Sequence, residues 1–321
     1  MEFRILGTLE ACDEGRPLKL GGAKQRALLA ILLLYANEVV SRERLIEGLW
    51  GSEPPETAAK ALQVYVSRLR KALAPHTLLR TKAPGYALQL EPGQLDLDRF
   101  ERLRAEAGAA LVAGDAARAA STLHEALALW HGPPLAEFAL EPFAQPEIAR
   151  LEDVRVAALE DRIEVDLALG RHAECAGELE RLVAAHPLRE RLREQLMLAL
   201  YRGGRQAEAL QAYRDARRAL VEELGIEPGP ALQRLERAIL VHDPALGLGL
   251  PELSEAAAPP PSPRAEPVAP ALRTEVALEM RKTVTIVFCD VTGSTSLGES
   301  RDPELMRRVM SRYFDEMRAA L

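Results

Sequence analysis

The side chains between Lys60 and Lys71 are the part of this sequence best equipped for chemistry, and that chemistry is recognition rather than turnover. Lys60, Gln63, Val64, Ser67, Arg68 and Lys71 recur at the three- and four-residue spacing that gathers side chains on one face of a helix, with Arg70 at its border. Ammonium and guanidinium groups suit phosphate oxygens, whereas Gln63, Val64 and Ser67 have the size to probe base edges or a thymine methyl. Other constellations are poorer. Cys12, Cys175 and Cys289 form no CxxC pair and have no histidine at ligand spacing, so neither a disulfide framework nor a zinc site is expected. His124 and His131 lie seven residues apart, but Gly132-Pro133 ends their helix and no third ligand accompanies them.

The elements that position the cationic face follow from the apolar pattern. Leu62, Val66, Leu69 and Leu73 fall at i, i+4, i+7 and i+11, so a helix opened by Pro54-Pro55 runs to Leu73 and buries this stripe. Earlier, 3–7 and 17–20 read as strands about the turn Asp13-Glu14-Gly15, and 24–36 reads as a helix buried on most sides. Val39-Val40 leads into Ser41, which caps a helix over 42–49 without a full capping box, because Arg44 stands three residues on. Later, 78–82 and 86–90 pair as a basic-tipped hairpin across Ala83-Pro84-Gly85. Sheet, three helices and basic hairpin make a winged helix over 1–92, whose third helix fits a major groove while the hairpin follows the neighbouring minor groove and backbone.

The net charge of −7 is unevenly spread: residues 1–92 hold 13 Lys and Arg against 10 Asp and Glu, and the remainder hold 28 against 38. A basic module tethered to an acidic one is the expected arrangement. The 321 residues, 48% of them hydrophobic, are expected to form at least two domains, each with its own core. The longest apolar run, 27–36, is too short to span a bilayer, and Met1-Glu2-Phe3-Arg4 does not open a secretory signal, so a cytoplasmic chain without membrane contact is expected.

Residues 96–243 read as helical throughout. Leu169-Gly170-Arg171-His172-Ala173-Glu174 is matched 34 residues later by Gly203-Gly204-Arg205-Gln206-Ala207-Glu208, which is the tetratricopeptide period. In such a repeat Ala173 and Ala207 are expected to let paired helices approach, with Leu179 and Tyr213 at equivalent packing positions. A looser unit starts at Ala113-Gly114-Asp115. Residues 244–279 form a Pro- and Ala-rich linker, and 280–321 begin a further α/β piece. The fold class is thus mainly α: an α+β winged helix, an all-α tetratricopeptide-like domain, a linker and a truncated α/β fragment.

The segments 21–29, 44–51 (Arg44-Leu45-Ile46-Glu47-Gly48-Leu49-Trp50-Gly51), 61–71 and Pro84-Gly85-Tyr86, followed by Asp96-Leu97-Asp98-Arg99-Phe100, Trp130-His131-Gly132-Pro133-Pro134-Leu135 and Glu223-Leu224-Gly225-Ile226-Glu227-Pro228-Gly229, resemble the Streptomyces antibiotic regulatory protein family. The resemblance implies an OmpR-type winged helix followed by a bacterial transcriptional activator domain. It also implies sequence-specific binding of double-stranded DNA at direct repeats near promoters, and activation through RNA polymerase. Carried over by position, Gln63, Val64, Ser67, Arg68 and Arg70 lie on the recognition helix, Lys24 and Arg26 near phosphates, and Thr81, Lys82 and Tyr86 in the wing. Arg44, Lys60 and Lys71 complete the expected DNA-binding set, and a homodimer is among the expected assemblies.

Beyond the linker, Phe288, Asp290, Gly293, Ser294 and Thr295 resemble the opening of a class III nucleotide cyclase domain. There such an aspartate holds Mg²⁺, which orients the nucleotide phosphates. Asp290 is therefore the metal candidate of a complete cyclase domain, with Mg²⁺ and nucleotide as its cofactors. The positions for a second metal aspartate fall past Leu321, so neither a cofactor nor catalysis is expected of this chain by itself. Two other readings stay open from sequence: the regulatory front half of a cyclase-type signalling protein, and a repeat-based adaptor whose winged helix binds protein.

Overall fold

The computed structural model describes residues 1–73 and 78–247. The expected linker over 244–279 is described only to residue 247, and the expected cyclase-like segment with Asp290 lies outside the described residues.

An antiparallel sheet opens the chain, with β1 (Glu2–Arg4), β2 (Glu10–Asp13) and β3 (Arg16–Pro17) in sequential order. Two differences from the sequence reading stand out. The central strand β2 was not foreseen, and the first strand stops at Arg4 instead of continuing to Gly7. The cause is competition for backbone groups. The N–H groups of Ile5 and Leu6 donate to the Asp96 carboxylate at 2.9–3.0 Å. The carbonyls of Ile5, Leu6 and Gly7 accept from the N–H groups of Leu135, His131 and Ala136. With these groups engaged elsewhere, the segment leaves the sheet.

α1 (Ala23–Leu34) buries every residue from Ala27 to Leu33 and forms the centre of the N-terminal half. β4 (Val40–Ser41) leads into α2 (Arg42–Trp50), where Ser41 Oγ accepts from the Arg44 N–H at 3.2 Å and caps the first turn. α3 (Ala58–Ala72) follows, then the hairpin of β5 (Leu79–Lys82) and β6 (Gly85–Leu88). β4 joins this hairpin as a third strand, in the order β4-β6-β5. The arrangement is a winged helix.

The helical half comprises α4 (Asp96–Val112), α5 (Ala116–Leu127), α6 (Gln145–Ala168), α7 (His172–Ala185), α8 (Glu190–Arg202), α9 (Gln206–Leu224) and α10 (Pro230–Leu240). The turns before α5, α7 and α9 are built alike. Asp115, Arg171 and Arg205 return their N–H groups to the carbonyls of Ala110, Asp166 and Leu200, closing each preceding helix with the same motif. The looser first unit thus turns as the two regular ones do. Leu179 and Tyr213 are buried at equivalent positions, but Ala173 and Ala207 are exposed in the first turns of their helices. The small side chains buried at matching positions are instead Cys175 and Ala209.

Packing corrects the expectation of one core per domain. A continuous apolar cluster runs from Phe3 and Leu28 through Leu62 and Tyr86 to Phe100, Trp130 and Leu151, crossing the expected boundary near residues 92–96. Phe100 meets Trp130 edge-on with ring centroids 5.3 Å apart. A second cluster, from Val156 to Ile239, lies wholly within the helical half.

Asp96 is the polar centre of the shared region, and burial raises its pKa from 3.8 to about 6 against the pull of the Leu6 and Ile5 N–H groups. A carboxyl that holds its proton more tightly when folded than when unfolded favours folding as pH falls through that interval. Compared with Asp96→Asn, the unfolding free energy of the wild type is expected to rise as pH drops from about 6 to about 4, by at most roughly 3 kcal/mol. Above neutral pH the two should run parallel. Urea titrations at stepped pH measure the difference, and a gap that ignores pH would contradict this role for Asp96.

Candidate nucleic-acid interface

α3 is asymmetric in both polarity and charge. Ala58, Leu62, Val66 and Leu69 are buried, and Lys60, Gln63, Ser67, Arg68 and Lys71 are exposed on the other side, with Val64 among them at 42% exposure. The helix carries Lys60, Arg68, Arg70 and Lys71 and no carboxylate, so its outward charge is not neutralised from within. Arg70 and Lys71 also fall in the last turn, where cations complement the helix dipole. The sequence reading and the structure agree on this face.

Two contacts fix how the face is presented. Trp50 of α2 stacks on Tyr65 of α3 with centroids 6.2 Å apart and planes 19° from parallel. On the other flank, Arg70 donates from Nε to the Leu79 carbonyl at 2.9 Å and from Nη2 to Thr81 Oγ1 at 2.7 Å. Arg70 thus ties α3 to β5, which explains its border position in the helical pattern. Arg80, Thr81 and Lys82 are exposed along β5, and Arg80 is a wing cation that the sequence reading left out of its set. Alternation in so short a strand gave no signal for it.

Several predicted residues are employed inside the protein. Tyr86 is 4% exposed, because β6 is the central strand of its sheet and is buried throughout. It is a core side chain with the Arg42 guanidinium 5.9 Å from its ring centroid, not a wing contact. Lys24 Nζ donates to the Leu49 carbonyl at 2.5 Å, satisfying the last turn of α2. Arg26 donates from Nε to Glu137 at 2.6 Å and from Nη2 to the Leu9 carbonyl at 2.7 Å, and also forms a second bond to Glu137. Lys24 and Arg26, expected near phosphates, are thus each hydrogen-bonded within the fold while staying partly exposed. Arg44 remains exposed, packing over the Tyr35 ring at 4.2 Å with a 2.6 Å bond to its hydroxyl.

Winged helix, cationic third helix and basic hairpin together define the DNA-binding class of transcription regulators. Comparison with known proteins agrees. Residues 15–88 match the family described as transcriptional regulatory protein, C terminal, and residues 95–240 match the bacterial transcriptional activator domain. The regulatory protein DnrI of Streptomyces peucetius is 39% identical over 267 residues, covering 80% of this chain and 98% of DnrI. The regulatory protein AfsR of Streptomyces coelicolor is 49% identical over 259 residues, covering 80% of this chain and 26% of AfsR. The chain therefore spans about a quarter of the length of the AfsR proteins it matches. A solved structure of Mycobacterium tuberculosis EmbR, in complex with a low affinity phosphopeptide, superposes with a TM-score of 0.73 at 37% identity, covering 76% of this chain and 65% of that one. The chain belongs to the Streptomyces antibiotic regulatory protein family of transcriptional regulators.

Gly85 is the tightest point of the wing. A Cβ there would fall 1.8 Å from the Val40 carbonyl oxygen, so β4 can pair with β6 only if residue 85 has no side chain. Gly85→Ala is expected to lower stability by more than about 2 kcal/mol. Thermal unfolding reads this as a clear drop in Tm, and an unchanged Tm would show that β4 can move aside.

Proposed function

We propose that this chain is a cytoplasmic, sequence-specific activator that binds direct repeats near promoters and recruits RNA polymerase. The carrying observation is the exposed, carboxylate-free cationic face of α3, whose opposite face is sealed into the core. In this reading α3 enters the major groove, Gln63, Val64, Ser67 and Arg68 meet base edges, and Lys60, Lys71 and the wing residues Thr81 and Lys82 meet the backbone. Family membership supports the assignment over an adaptor or a cyclase front half, since the named relatives are regulatory proteins. No helix among the described residues is long and apolar enough to cross a membrane. Two copies on adjacent repeats are the proposed assembly.

Electrophoretic shifts on promoter fragments across a salt series test the reading. Lys60→Ala and Lys71→Ala are each expected to weaken binding to all sequences alike and to reduce the slope of log K against log salt by about one. Gln63→Ala and Arg68→Ala are expected to cost about 1–3 kcal/mol on the cognate site and far less on competitor DNA. Equal losses on cognate and random DNA for all four variants would remove the base-reading role from α3.

A further inference from the structure

The helical half carries an open groove of about 680 Å³ lined by α4, α5 and α6, with Arg191 of α8 beside it. Beside it α4 and α5 pack through the small side chains of Ala107, Ala110, Ala119 and Ala120, together with Leu123 and Val165. Leu111 and Val165 make its walls apolar, and its volume lies in the range of cavities that hold small organic molecules. Gly108 lies on its surface in the interior of α4. A Cβ there would meet nothing within 4 Å, so packing does not demand glycine, although glycine costs a helix roughly 1 kcal/mol relative to alanine. What its absent side chain provides is room over the helix backbone.

Charge at the rim selects the occupant. Arg104 donates to Asp161 at 3.2 Å, and Arg191 donates to Asp161 at 2.8 Å and to Glu164. Both guanidinium groups are thus engaged, and Glu101 adds a third carboxylate. An entering anion would have to displace Asp161 or Glu164 from its partner, whereas a neutral or cationic group meets Glu101 and Glu164 with the pairs intact. We propose that this groove binds a small amphiphile, with its apolar body over Gly108 and a neutral or cationic end at the Glu101–Glu164 rim. None of its lining residues belongs to the winged helix. It nevertheless borders α4, the helix whose first residue, Asp96, holds Ile5 and Leu6 of the winged helix.

Nile red, a neutral apolar dye, added to the full chain without DNA, tests the proposal separately from the DNA reading. Its fluorescence is expected to rise saturably with one dye per chain. 1-Naphthalenemethanol and 1-naphthalenemethylamine should displace it at concentrations roughly tenfold below those of 1-naphthoate, a difference of about 1.4 kcal/mol. Gly108→Leu should abolish the saturable signal. Gly108→Ala should raise Tm by a few degrees while weakening dye binding several-fold. Absence of saturable binding, or preferential displacement by naphthoate, would overturn the proposal. So would dye affinity unchanged in Gly108→Ala, which decides the matter if Gly108→Leu fails to fold.

Discussion

Ile5, Leu6 and Leu9 are at most 1% exposed, yet they belong to no strand or helix that could satisfy their backbone groups. Their apolar side chains draw the segment into the core, and each buried N–H left without a partner would cost about 1–3 kcal/mol. The partners come from the helical half. Asp96 accepts from Ile5 and Leu6, and Glu137 accepts from Leu9 at 3.1 Å. Arg26 completes a closed circuit by binding both Glu137 and the Leu9 carbonyl. The winged helix therefore needs the helical half to satisfy its own backbone, and the apolar cluster that both share follows the same route.

This dependence explains the fate of the α1 cations. A winged helix standing alone could spare Lys24 and Arg26 for phosphate. Here Lys24 closes the end of α2 and Arg26 bridges to Glu137, so both help to hold the platform beneath α3. The helix proposed to read DNA is held from three directions: its buried stripe, the Trp50–Tyr65 stack and the Arg70 tie to the wing. Fixing the helix backbone before binding reduces the ordering entropy that association would otherwise cost.

What could be read from sequence followed the range of the interactions involved. The two faces of α3, the Ser41 cap and the 34-residue repeat are set by residues within a few turns of one another, and each leaves a periodic or positional trace. Asp96 and Arg26 act across 91 and 111 positions, which no local spacing records. Tyr86 failed for a related reason: a hairpin read by itself has two faces, and only pairing with β4 makes β6 a central, buried strand. The alanines of the repeat show a subtler limit. A period says that residues 34 apart are equivalent but not which face they share, so Ala173 was assigned inward when Cys175 takes that position.

Joining through a core rather than a linker has a geometric consequence for the proposed function. A tethered domain would sample many orientations over the promoter, whereas this helical half is oriented by whatever α3 docks against. On direct repeats, successive copies would then present the same surface in the same direction, one displaced from the next along the duplex. Contacts between such copies are heterologous, head against tail, and require no two-fold symmetric patch on the protein. An interface between neighbours should accordingly pair two different regions of the helical half, and a search for a self-complementary surface would look in the wrong place.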